Sequence, residues 1–428
     1  MLIILFVGVL VVLMLCGVPV AFSMAATAFA SAVYLWGFEG VPLHILIQQT
    51  VSGVNSFTSL AIPLFLLAGQ LMNGSDITNR IFDFCQACVG TLRGGLGHVN
   101  ILCSVIFAGM SGTAAADAAG LGTMEIKAMT DAGFDKEFSV AVTGASSLIG
   151  PIIPPSVPMV MYGVLAGVSV SGLFIGGILP GLLMAGGMMA MVYMYSVKRN
   201  YPRGERFSLK RLWNAFRHSV LSLMTPMIII GGIWSGIFTA TEASAIAVLY
   251  ASVLALFIYR DMKPREWVLL LRKSVLDCAA IMLVLGCVSL YGYVLTRTRI
   301  PVLLAQSVVS LTTNKAVVTM ILVVFLLFIG CFMSTTECVL LFTPIFLPLM
   351  QQVGINITVF GVVMCLVLMI GQITPPFGTC LFILCKNAGL GMDVVVKHTI
   401  PLTIPVLITA ILCLIFPGLV TFLPSVFS

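Results

Sequence analysis

Two short runs carry the residue types that could hold a cation inside an otherwise apolar chain. Ile149-Gly150-Pro151-Ile152-Ile153-Pro154-Pro155 returns 221 residues later as Ile370-Gly371-Gln372-Ile373-Thr374-Pro375-Pro376. Proline has no backbone N–H, so each run removes helical donors and leaves carbonyl oxygens without partners, while glycine lets a ligand approach the backbone closely. In hydrocarbon such a gap is costly unless it lines a cavity, and bare carbonyl oxygens are suited to an alkali cation. A second repeated feature adds hydroxyls: Met110-Ser111-Gly112-Thr113 returns as Met333-Ser334-Thr335-Thr336, at a shift of 223. Gly17-Val18-Pro19 and Gly236-Ile237-Phe238 open corresponding helices at a shift of 219. A single Pro-Pro would only mark a kinked, packed helix. Duplicated in order beside a duplicated hydroxyl tip, the break reads as two pseudo-symmetric oxygen cages. Each offers neutral oxygens, not a carboxylate relay, which favours Na+.

Three acids need separate accounts, because a charge at the bilayer centre costs about 2.5–3.5 kcal/mol on insertion scales. Asp117 follows the first tip and Glu337 adjoins the second. Asp117 serves substrate or gating, or locks the hairpin by a hydrogen bond. Glu242, in Thr239-Ala240-Thr241-Glu242, is functional or caps a helix at the interface. Other chemistry is poorly supported. There is no H-E-x-x-H, no Walker-type glycine loop and no G-x-G-D, and the four histidines are scattered at 44, 98, 218 and 398. The 12 cysteines lie mostly in apolar runs and read as small hydrophobes; the pair Cys85 and Cys88 lacks a second pair to make a zinc site. An enzyme is not expected.

The elements that must position these groups are membrane helices. Hydrophobic residues make up 60% of the 428 and charged residues 8%, with a mean hydropathy of +1.15, far from a soluble domain. At about 20 residues per crossing, the chain is long enough for ten. Apolar runs place them near 2–16, 18–36, 58–73, 137–167, 172–196, 219–237, 239–259, 276–295, 355–386 and 399–422. Between the third and fourth of each half lies a long apolar stretch interrupted by small polar residues, near 94–130 and 316–352. Both read as re-entrant hairpins. With both hairpins re-entrant, 18 of the 21 basic residues share one face and only Arg297, Arg299 and Lys315 lie opposite, so the eighteen, Arg206 among them, face the cytoplasm. Both termini then face the periplasm. No basic residue precedes Arg80, so no cleaved signal peptide is expected. The segments 42–56, 76–92 and 262–274 mix polar and apolar residues at helical spacing and read as interfacial helices. The basic stretch 198–218 is a cytoplasmic linker between a first repeat, 1–197, and a second, 219–428. Topology and anionic headgroups account for its charge, and no nucleic-acid partner is expected.

Five crossings per half, an odd number, invert the second repeat. The expectation is an all-α integral membrane protein of two inverted repeats, with about ten crossings plus two re-entrant hairpins, which is transporter architecture. A channel and an intramembrane protease are weaker readings.

The residues resemble the large membrane subunit of tripartite ATP-independent periplasmic (TRAP) transporters over essentially the whole chain. The likeness is carried by Gly17 to Phe22, by Ala61-Ile62-Pro63-Leu64-Phe65 with Ala68-Gly69, and by Met110 to Thr113 with Ala116-Asp117. Ile149 to Pro158, Gly236 to Ala243 and Thr374-Pro375-Pro376 complete it. The resemblance implies an elevator-type ion transporter fold in a bacterial inner membrane, driven by Na+ at two sites and importing a small organic acid such as a C4-dicarboxylate, a sialic acid or a sulfonate. It implies two separate partners, a small four-helix membrane subunit and a periplasmic substrate-binding protein. By motif, the first sodium site would use Ser111, Gly150, Ile153 and Pro155. The second would use Ser334 and Thr335 with Gly371, Thr374 and Phe377. The substrate would sit near Thr113, Asp117, Ser156 and Thr336. The tips hold no arginine, so hydroxyls, amides and helix N-termini must receive the anion. A stand-alone Na+/dicarboxylate symporter of the same fold is the alternative.

Overall fold

The computed structural model describes residues 2–204, 207–298, 303, 306, 312, 314–375 and 378–427, and among them the chain is all-helical. Arg206, Arg299, Pro376 and Phe377 lie outside the described residues. The first half runs α1 (Leu2–Leu15), α2 (Val20–Trp36), α3 (Leu43–Val54), α4 (Ala61–Asn73) and α5 (Ile77–Val89). A hairpin follows, its limbs α6 (Gly95–Ser111) and the paired α7 (Ala114–Gly120) and α8 (Gly122–Asp131). Next come α9 (Lys136–Ser147) and α10 (Val157–Ala166), separated by the first break, and then α11 (Val170–Lys198). The second half has α12 (Leu209–Trp234), α13 (Ala240–Val253) and α14 (Pro264–Arg297), then a second hairpin of α15 (Lys315–Gly330) and α16 (Thr335–Val353). A second broken pair, α17 (Ile357–Gly371) and α18 (Thr379–Ala388), leads to α19 (Met392–Ile415) and α20 (Gly418–Phe427).

Hydrogen bonds across the hairpin mouths account for the re-entrant geometry. At the first, Gly94 N–H reaches Pro202 O at 3.2 Å and the Arg93 guanidinium reaches Asn200 Oδ1 at 2.6 Å. The exit residue Asp135 binds Arg199 at 2.7 Å, so entry and exit are held by one short segment, 199–202. At the second, Lys315 Nζ donates to Gly354 O at 2.7 Å, joining the start of α15 to the end of α16. Equivalent turns also recur. The left-handed glycines pair as Gly17 with Gly236, Gly133 with Gly354 and Gly167 with Gly389, at shifts of 219, 221 and 222, each a place where a side chain would strain the backbone.

Among the described residues six helices are each long and apolar enough to cross a bilayer, including α11, α12, α14 and α19. Exposed side chains such as Leu249, Phe257, Leu276 and Phe328 leave an apolar outer surface, suited to lipid and unsuited to water.

Three expectations change. The segment 262–274 is not a separate interfacial helix: α14 is one helix of 34 residues, about 51 Å at 1.5 Å per residue, longer than a hydrocarbon core of about 30 Å. Its counterpart in the first half is broken, α3 meeting the segment Thr58–Asn73 at 54°, because Asn55 and Ser56 interrupt the apolar run there. The run 399–422 divides at Phe416-Pro417, where Pro417 ends α19 before α20. The hydroxyl tips also align differently. Thr113 and Ser334 both cap the following helix, accepting from Ala116 N–H at 3.3 Å and Glu337 N–H at 3.4 Å. That equivalence has a shift of 221, the same as the breaks.

Candidate functional site

The two hairpins and two broken helices pack crosswise. Each hairpin's first limb lies on the first half of its own repeat's broken helix, α6 on α9 and α15 on α17. Each second limb lies on the second half of the other repeat's broken helix, α7 on α18 and α16 on α10. Polar side chains fix the first contact. Asn100 donates to Thr143 Oγ1 at 2.7 Å and accepts from Ser146 Oγ at 2.6 Å, all three fully or nearly fully buried. Tyr162 of α10 spans the repeats by donating to Ile357 O at 2.7 Å.

This packing sets the first tip against the first break. Val157 N–H donates to Gly112 O at 3.2 Å, and a Cβ added to Gly112 would stand 3.1 Å from Pro155 O. A Cβ on Gly150 would stand 3.2 Å from Ser147 O, 3.5 Å from Thr113 O and 3.6 Å from Ser111 Oγ. Three oxygens therefore surround the one position that carries no side chain. The Ser111 hydroxyl is buried and has no protein partner, so an oxygen is left over at this point. Gly69 of α4 presses on the same tip, its added Cβ meeting Met110 O at 3.2 Å. Of the predicted first set, Ser111, Gly150 and Pro155 come together. The Ile153 side chain turns away to pack on Gly181 of α11.

The second tip meets the second break through one side chain that motif reading did not single out. Gln372 donates from Nε2 to Thr335 Oγ1 at 2.9 Å and accepts at Oε1 from Thr379 Oγ1 at 3.0 Å and Cys380 Sγ at 3.1 Å. Its carbonyl also accepts from Cys380 N–H at 3.1 Å. It stands where the first break has Pro151, and that departure was the signal. Gly371 is pressed against Gly330 O and Cys331 N. Thr374 spends its hydroxyl on Ile370 O at 2.7 Å.

Among the predicted substrate residues, Thr113 and Thr336 are half-buried at the tips. Ser156 caps α10, accepting from Met159 N–H at 3.2 Å and donating to Pro151 O. Asp117 lies one turn beyond Thr113 and is 2% exposed, enclosed below the tip. Glu242 and Glu337 close capping boxes, accepting from Thr239 N–H at 2.8 Å and Ser334 N–H at 3.1 Å, which is the capping alternative for Glu242. Among the described residues no group of three His, Cys, Asp or Glu side chains could hold a metal. A cation held here would meet neutral oxygens.

Across residues 7–419 the sequence matches the family described as tripartite ATP-independent periplasmic transporter, DctM component. The chain belongs to that family. It is similar to the sialic acid TRAP transporter large permease protein SiaM of Vibrio cholerae, 38% identical over 97% of this chain and 96% of that protein. The 2,3-diketo-L-gulonate TRAP transporter large permease protein YiaN of Escherichia coli is 31% identical over 98% of both chains. The C4-dicarboxylate TRAP transporter large permease protein DctM of Pseudomonas aeruginosa is 34% identical over 86% of this chain and 85% of its own. Among solved structures, the YdaH transporter of Alcanivorax borkumensis superimposes with a TM-score of 0.65 over 88% of this chain and 89% of its own. At 14% identity that likeness speaks for the fold alone. This TRAP permease is thus a multi-pass membrane protein with an elevator-type fold, and its family consists of transport components, not enzymes.

Proposed function

We propose that this chain is the large permease of a Na+-coupled importer of a small organic acid, in which the crosswise block of hairpins and broken helices slides as an elevator against α1–α5 and α12–α14. The observation that carries the reading is the unpartnered Ser111 hydroxyl beside Gly150, ringed by main-chain oxygens. A buried polar atom without a partner is costly, and a bound cation would satisfy it. One Na+ site is assigned to Ser111, Gly150, Ile153 and Pro155, and a second to Ser334, Thr335, Gly371, Thr374 and Phe377. Thr113, Ser156 and Thr336 would receive the cargo, whose class is supported by relatives named for sialic acid, diketogulonate and C4-dicarboxylates. A small four-helix subunit and a periplasmic binding protein would complete the system in a bacterial inner membrane, with both termini periplasmic and 198–218 cytoplasmic.

Reconstitution tests this. Proteoliposomes holding this chain and the small subunit, supplied with loaded binding protein, should accumulate the acid only under an inward Na+ gradient. Uptake by this chain alone would replace the tripartite reading with a stand-alone symporter, and uptake indifferent to Na+ would remove the cage assignment.

A further inference from the structure

Below the first hairpin tip, two carboxylic side chains are sealed inside the protein with no cation beside them. Asp117 of α7 is 2% exposed and Glu125 of α8 is 1% exposed. Neither Asp117 oxygen nor Glu125 Oε1 has a hydrogen-bond partner of ordinary geometry. The groups facing them are neutral. Ser104 of α6 lies beside Asp117, and Cys85 of α5, Cys103 of α6 and Cys380 of α18 lie within electrostatic reach of one acid or the other. The acids also feel each other. From α4, the Asn73 amide lies over Gly120, on the turn between them, and its buried Oδ1 is a further acceptor without a donor. From α9, the Thr143 methyl approaches at Gly122. Lys127 and Lys386, on α8 and α18, are exposed, and no ion pair with either acid occurs among the described residues.

Two ionised carboxylates cannot share such a site. Each would be desolvated, unpaired and repelled by the other, at a cost far larger than that of binding a proton. The hydroxyl and thiols around these carboxyls do not stand in ordinary hydrogen-bonding geometry, and the smallest donor that fits a closed site is a proton on each acid.

We propose that Asp117 and Glu125 form a proton-binding site within the first hairpin, separate from the oxygen ring at Gly150. Both acids ride on the limb that packs on α18, so opening of that hairpin would expose them to water and allow proton exchange on that side only. Transport then depends on pH on the side to which the hairpin opens, and this second consequence rests on the elevator reading; protonation itself does not.

Infrared spectroscopy of the purified chain at neutral pH tests protonation without transport. The carboxylic-acid C=O band is expected in the wild type, diminished by about half in Asp117→Asn or Glu125→Gln and absent in the double variant, since exposed acids ionise at that pH. Because the amides replace groups that are already uncharged, thermal unfolding of Glu125→Gln should match the wild type. A wild type without the band, or a band untouched by Glu125→Gln, overturns the proposal even if Asp117→Asn fails to fold. In proteoliposomes, the wild-type uptake rate should change with pH on one face, and Glu125→Gln should flatten that response. Loss of the band leaves the transporter reading standing, and absence of uptake leaves the band to be explained by the acids.

Discussion

The two breaks share a frame and differ in how each is held. In the first, three prolines stiffen the run from Pro151 to Pro155 covalently, and the hairpin tip is left with a free hydroxyl, Ser111. In the second, Gln372 replaces Pro151 and ties the loop to Thr335, Thr379 and Cys380 with its own side chain. The limbs differ likewise. α6 is fixed to α9 through buried Asn100, whereas α15 meets α17 at Gly330, where an added Cβ would stand 3.3 Å from the Leu368 side chain. The first gap thus keeps an unbonded hydroxyl beside main-chain oxygens, whereas at the second the Gln372 and Thr374 side chains are already bonded within the protein. A cation placed at the first would meet a hydroxyl that no protein group holds. At the second it would compete with the Gln372 clasp.

The largest effects should separate the two glycines. A Cβ on Gly371 collides with backbone at Gly330 and Cys331, which cannot move as a flexible side chain would. Gly371→Ala should therefore unfold the second hairpin from α17, read as loss of a monodisperse peak and a melting temperature lowered by several degrees. At Gly150 the nearest atom would be 3.2 Å away, so Gly150→Ala should fold and weaken Na+ dependence, and Gly150→Leu should fold yet abolish Na+-driven uptake. Equal stability of the two alanine variants would erase the distinction between the breaks.

Both breaks and both tips were legible from sequence because proline, glycine and hydroxyl residues recur in order at nearly constant spacing, and proline acts locally whatever the tertiary context. The re-entrant hairpins were legible as apolar stretches interrupted by small polar residues, and charge segregation, a statement about the whole chain, supported them. What stayed hidden depended on neighbours distant in sequence. Gln372 was visible as a departure from Pro151, but its three partners lie on two elements. Glu125 sits two residues from exposed Lys127 and reads as the end of a hairpin limb; only packing by α6, α9 and α18 encloses it. The continuity of α14 was missed because charge ends near Lys273, while helices continue past a change of solvent. The tip alignment failed because Met-Ser is a stronger letter match than a shared capping role.

Smaller effects sharpen the same contrast at the side chains. Gln372→Ala removes bonds to three partners and leaves two of them, Thr335 and Cys380, buried, so it should cost about 1–3 kcal/mol, measured as a lowered thermal midpoint, while making the second loop easier for a cation to enter. Ser111→Ala removes a hydroxyl with no protein partner. It should leave the midpoint unchanged and raise the Na+ concentration for half-maximal uptake roughly tenfold, the equivalent of about 1.4 kcal/mol. Thr374→Ala, whose hydroxyl is already bound to Ile370 O, should shift that concentration far less. If Thr374→Ala proved the more damaging, the second loop and not the first would be the prepared site.

The smallest expected effect lies at the mouth of the first hairpin, outside the membrane. The hydrogen bond from Tyr201 at 2.6 Å, opposed next by burial and then aided by the Arg199 guanidinium at 2.7 Å, holds the Asp135 carboxyl below its ordinary value of 3.8. The same bond helps burial push the Tyr201 phenol up to about 12. A carboxyl whose folded-state value is depressed stabilises the fold above its unfolded value, and the contribution is lost as pH falls through the folded one. Asp135→Asn should therefore lower the thermal midpoint at neutral pH and match the wild type in strong acid. With the Asp135 side chain 52% exposed, solvent screening keeps the difference within about 1 kcal/mol. The second mouth, closed by Lys315 on the Gly354 carbonyl, has no acid to titrate. A wild-type midpoint that falls in acid no faster than that of Asp135→Asn would show that the two mouths are held alike.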